Sequence, residues 1–84
     1  MTRATKKRPV KIQLDLHALG RRIRELRGFE MTQAEFAARI GVTQGYLSEL
    51  ERGEKEPGAG VLLAIGQEFS KSVDWLLKGE SPKA

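Results

Sequence analysis

Thr43, Gln44, Gly45, Ser48 and Glu49 carry side chains that either hydrogen-bond or are absent, and Leu47 and Leu50 are set among them. On a helix, turning Leu47 and Leu50 toward a core sends Gln44, Gly45, Ser48, Glu49 and Arg52 to the opposite side. Such a set suits a helix sunk in the major groove of double-stranded DNA. The Gln44 carboxamide can bond N6 and N7 of adenine together, Glu49 can accept from N4 of cytosine, and Ser48 can serve a base or a phosphate. Gly45 allows a close backbone approach, and the Thr43 methyl, where the residue does more than cap, could touch a thymine methyl. Every surface helix has a wettable face, so none of these residues decides the matter alone.

Other chemistries find little support. His17 is the only histidine and there is no cysteine, too few groups for a zinc site and none for a disulfide framework. No Ser, His and acid set or phosphate-cradling glycine loop stands out, since the glycines are spaced as helix ends. No enzyme activity, cofactor or metal is expected. No apolar run reaches the ~18 residues of a membrane span, and the basic start is not followed by the pattern of a secretory signal. A cytoplasmic protein is the expectation.

Charge is unevenly placed. Residues 1–27 hold nine bases against two acids, whereas residues 28–84 hold six bases against nine acids. This asymmetry suggests a polyanionic partner for the first part. Arg3, Lys6, Lys7, Arg8 and Lys11 form a basic arm; a solvated tail kept soluble by its charge is the plain alternative. Arg39, Arg52 and Tyr46 are further candidates for phosphate contact, although Arg52 could equally pair with Glu49, Glu51 or Glu56, and Tyr46 could simply pack. The stretch 45–56 is locally acidic, which makes the arm and Arg21, Arg22, Arg24 and Arg27 more necessary for binding a polyanion.

The elements that must position these groups are short helices. Residues 1–14 read as a flexible arm or extended segment, with alternating Val10, Ile12 and Leu14 offering a short strand over 10–15. Asp15 can cap a helix carrying Leu16, Leu19, Ile23 and Leu26, with Gly28 placed for a left-handed end. Thr32 and Glu35 make a capping box ahead of Phe36, Ala37 and Ile40. Thr43 caps the next helix, over about 44–52, which Gly53 closes. A fourth helix uses Val61, Leu62, Ile65 and Phe69. A fifth follows Ser72 with Val73, Trp75, Leu76 and Leu77. Gly20, Gly45, Gly60 and Gly66 fall inside helices, which either weakens them or marks close backbone approaches. The domain spans 15–79 and leaves 80–84 as a tail, too short for an attached effector domain.

The link Gly41-Val42-Thr43 is so short that the flanking helices must cross steeply, at roughly 90–120°. Gly41 tolerates positive φ there, and Ala37 is small where the two helices face each other. The segment TQAEFAARIGVTQGYLSELERG, residues 32–53, resembles the helix-turn-helix of the lambda-type family, the Cro and phage-repressor-like or XRE-like proteins. Gln33, the pair Thr43-Gln44, the ending Leu50-Glu51-Arg52-Gly53, Pro57 and the closing Ser72 to Leu77 all fit, in order. The resemblance implies an all-α fold, a compact five-helix lambda-repressor-like domain with a flexible basic N-terminal arm. It also implies that Gln33 holds a phosphate, helped by the helix N-terminus.

One short recognition helix reads only about four base pairs, so the expectation is a homodimer on a pseudo-palindromic operator. Trp75 and Leu77 are candidates for the dimer patch. The function expected is transcriptional regulation, by repression, through sequence-specific binding. The alternative is an antitoxin-like module whose main task is to bind another protein and whose DNA binding is autoregulatory.

Overall fold

A computed structural model describes residues 13–80. Four of the five helices begin where a side chain satisfies a backbone N–H left without a partner. Asp15 accepts from Ala18 ahead of α1 (Leu16–Arg27). Thr32 and Glu35 form the reciprocal box that opens α2 (Gln33–Ile40). Thr43 accepts from Tyr46 at the start of α3 (Gln44–Glu51). Only α4 (Ala59–Phe69), preceded by Gly58, starts without a side-chain cap, and Ser72 opens α5 (Val73–Lys78). Caps of this kind are each worth about 1 kcal/mol, enough to set boundaries in helices of one to three turns.

The turn between α2 and α3 is a Schellman closure. Gly41 adopts φ 79°, ψ 29°, its N–H donates to the Ala38 carbonyl, and the Val42 N–H returns to Ala37. Two α2 carbonyls are thereby satisfied as the chain reverses, and Thr43 caps α3 at once. Gly28 differs from expectation: its φ is 70° but its ψ of −160° lies outside the left-handed helical region, so α1 ends in an extended turn. The strand expected over 10–15 is not seen at Gln13 to Asp15, because Asp15 is committed as a cap and Leu16 already belongs to α1. Its earlier residues, the arm and residues 81–84 lie outside the described part. No helix among the described residues is long and apolar enough to cross a membrane.

Helix α1 packs across α3 and α5, α2 lies against α3 and α4, and α4 meets α5. Ile23, Phe36, Leu47, Leu50, Ile65 and Leu76 are withdrawn from water in the shared core, each contributing about 1.5–3 kcal/mol by burial. Phe36 and Phe69 stack with ring centroids 4.7 Å apart. The internal glycines divide into two kinds. A Cβ on Gly20 would sit 2.5–2.6 Å from the Glu51 and Leu50 carbonyl oxygens, and one on Gly66 would sit 2.7 Å from that of Lys71. Those two are close approaches of backbone. Gly45 and Gly60 face open space.

Candidate nucleic-acid interface

Helix α3 is two-faced. Leu47, Leu50 and Glu51 are buried, while Thr43, Gln44, Gly45 and Arg52 are exposed and Ser48 and Glu49 half-exposed. The Thr43 hydroxyl is committed to its cap, which leaves its methyl for any outside contact. Gln44 is not isolated: its Nε2 donates to Oε1 of Gln33, at 3.4 Å. The first residues of α2 and α3 therefore present two carboxamides side by side.

The polar residues farther along α3 are tied to one another. Arg52 forks onto Glu54 at 2.9 and 3.0 Å and also donates to the Ser48 hydroxyl. Its partner is thus Glu54 and none of the three acids expected. The hydrogen bond from Arg52 holds the Glu54 carboxyl below its ordinary range. Glu49 lies 3.5 Å from Lys55, whose ammonium is 6.0 Å from the centre of the Tyr46 ring. These pairings are open to solvent, so water competes for them. Tyr46 is half-buried against the core, with part of its ring available to solvent.

Arg39 does not join this group. Its guanidinium stands 3.6 Å from Glu68 of α4. The α1 arginines also divide. Arg27 is spent internally, forking onto Glu51 at 2.7 and 2.8 Å, and Arg22 donates to the Leu76 carbonyl near the end of α5 at 2.7 Å. Of the four arginines expected to be needed for binding a polyanion, these two have guanidiniums engaged by groups of the protein itself. Arg21 and Arg24 remain exposed, lining a shallow groove with Glu25 and the fully exposed Phe29.

Glu51 is the functional surprise. It is only 4% exposed and accepts from Gln33 Nε2 at 2.9 Å in addition to the Arg27 fork. Burial pushes its carboxyl up, but the hydrogen bonds from Arg27 and Gln33 and the charges of Arg27 and Arg24 outweigh that and hold it below the usual glutamate range. The bond to Glu51 likewise raises the Arg27 guanidinium. A signal for this was present: Glu51 falls four residues after Leu47 and next to Leu50, on the buried stripe of α3. On α5, Trp75 and Leu77 are half-buried, and the Lys71 ammonium lies 4.8 Å from the centre of the Trp75 ring.

This is a helix-turn-helix domain: the family model of that description matches residues 21–76, and the chain belongs to the helix-turn-helix family, in its lambda-type branch. It is 35% identical over 68 residues to Repressor protein C2 of Salmonella phage P22, covering 80% of this chain and 32% of that protein. It is 37% identical over 65 residues to the Propionyl-CoA carboxylase regulator of Cereibacter sphaeroides, covering 76% of this chain and 14% of the relative. The chain thus spans a third or less of the length of these curated relatives.

Among solved structures, the P22 c2 repressor in complex with a synthetic operator superposes with a TM-score of 0.69 at 37% identity, covering 82% of this chain and all of that one. The restriction-modification controller protein C.AhdI of Aeromonas hydrophila gives a TM-score of 0.67 at 26% identity, covering 75% of this chain and 97% of the other.

Proposed function

We propose that the domain binds double-stranded DNA sequence-specifically as a transcriptional regulator, a repressor, with α3 in the major groove. The observation that carries this reading is the two-faced α3, clasped through Leu47, Leu50 and Glu51 while Gln44 and Gly45 stand exposed at its first turn. Gln44, Ser48, Glu49, Gly45 and the Thr43 methyl are the base-reading set, and Gln33, Arg52 and Tyr46 contact phosphates. Gly45, with nothing within 4 Å of where a Cβ would stand, lets the helix backbone approach the bases. Arg21 and Arg24, together with the basic arm, supply sequence-independent attraction, which makes binding steeply salt-dependent. Trp75 and Leu77 of α5 join two copies on a pseudo-palindromic operator.

A cytoplasmic, non-enzymatic role follows from this reading. The relatives named above are regulators and repressors, so the antitoxin-like alternative is not preferred. The test is selection of bound duplexes from a random pool, followed by titration of Gln44→Ala on the selected site. A loss of about 1–3 kcal/mol with relaxed preference at one base pair is expected. A variant that binds the selected site as tightly as the parent chain would refute the docking.

A further inference from the structure

We propose that the groove beside Phe29, at the turn from α1 to α2, is a docking site for a partner protein, which enters it with a short acidic segment carrying one bulky apolar side chain. The proposal stands apart from the docking of α3 on DNA. Phe29 is fully exposed, although Leu26 before it and Met31 after it both pack against the core. Gly28 places it there. The φ of 70° with ψ of −160° at Gly28 lies in a region nearly reserved for glycine, and a Cβ on it would meet nothing within 4 Å. That glycine therefore serves conformation and not space: the chain turns outward at Phe29 and comes back to the core at Met31.

A single exposed apolar side chain is ordinary on a protein surface, and Leu63 of α4, 53% exposed, is such a case. Phe29 differs in its neighbours, because it lines a groove with Arg21, Arg24, Glu25, Arg27 and Gly28. Arg21 and Arg24 are three residues apart on one side of α1, close enough to hold one carboxylate between them. Neither lies within ion-pair distance of an acid among the described residues, whereas Arg27 is already neutralised by Glu51. The groove thus offers two available cations beside a bare aromatic ring.

The nearby acids choose between partners. Glu25 lines the groove on one side of Phe29, and Glu30 stands with Met31 on the other. A nucleic-acid strand is charged at every phosphate, so laying it here sets phosphates against Glu25 and Glu30, and one ring offers a single place for a base to stack. A polypeptide can put carboxylates opposite Arg21 and Arg24 and uncharged residues elsewhere. Its apolar side chain then covers Phe29, and both are withdrawn from water. The chain's own arm has the wrong sign for this groove, since Arg3, Lys6, Lys7, Arg8 and Lys11 are all basic.

The probe is a display library of short random peptides, selected on the parent chain and counter-selected on Phe29→Ser. A fully exposed side chain has little packing to lose, so this variant should keep the parent's thermal midpoint and its affinity for a selected duplex. Surviving peptides are expected to carry acids on either side of one Leu, Phe or Trp. A synthetic copy should bind Phe29→Ser about tenfold more weakly. The double variant Arg21→Gln with Arg24→Gln should bind it about threefold more weakly, a difference that fades in high salt. The proposal is overturned if no peptide tells the parent from Phe29→Ser, or if the survivors carry no excess of acids. It is also overturned if Phe29→Ser loses affinity for the duplex, which would give this surface to nucleic acid. Self-association of the parent that Phe29→Ser abolishes in sedimentation would overturn it too, since a second copy would then fill the groove.

Discussion

Two forked arginine–glutamate pairs flank the end of α3, built from the same residue types with nearly the same bond lengths. In Arg27–Glu51 the side chains are 18% and 3% exposed, and in Arg52–Glu54 they are 53% and 54% exposed. The first joins two helices that are distant in sequence, while the second closes a two-residue loop on the surface. Geometry therefore does not distinguish them; solvent does. Water competes for the outer pair and screens it, so it is exchangeable and contributes little to folding. The inner pair has no such replacement. Once one of its members is removed, the other is a charge left in a place that water reaches poorly.

The sharpest way to break this contrast is Glu51→Ala. It should lower stability by about 3 kcal/mol, read from the midpoint of urea unfolding, because Arg27 is left without its counter-charge. Replacing both members, Arg27→Met with Glu51→Leu, should recover a large part of that loss, since no buried charge remains. A double variant no more stable than the single one would show that the pair does more than neutralise itself.

Next in size is Gly20→Ala. Its methyl would meet the carbonyls of Leu50 and Glu51 at 2.5–2.6 Å, forcing α1 away from the end of α3. A loss of about 1–3 kcal/mol is expected from overpacking. The opened gap would also let water reach Glu51, so the inner pair would come to resemble the outer one.

Acid separates the pairs in a milder way. Glu51 is held below its ordinary value in the folded chain, so its contribution is complete above the unfolded value of about 4.3 and is lost as pH falls through the lower folded value. Unfolding midpoints of the parent chain and Glu51→Gln should differ at neutral pH and converge below about pH 4. Curves that stay parallel into acid would contradict the assignment.

The smallest effect is expected for Glu54→Gln on the outer pair. Its thermal midpoint should match the parent's, while DNA binding strengthens and its salt dependence steepens, because Arg52 is released to meet a phosphate. A clear drop in the midpoint would place the outer pair in the same class as the inner one.

What the sequence revealed and what it hid follow one physical division. The caps at Asp15, Thr32, Thr43 and Ser72 are bonds between residues three apart, so residue type and spacing suffice to locate them. The two faces of α3 were legible for the same reason, since Leu47 and Leu50 alone orient the helix. Arg27–Glu51 spans 24 residues and Arg22 to the Leu76 carbonyl spans 54. Neither can be read from a local pattern, and both remove arginines that look free in the sequence. Gly20 belongs with them, because whether a glycine is a weak point or a contact depends on what lies across from it.

Gly45 carries a different consequence. It sits in the first turn of α3 with nothing within 4 Å of where a side chain would begin, and a helix gains about 1 kcal/mol when such a glycine becomes alanine. The position can drift during evolution without penalty to the scaffold. Under the docking proposed above, each residue sampled there would change what the helix meets in the groove, and new operators could be explored while the rest of the protein stays as it is.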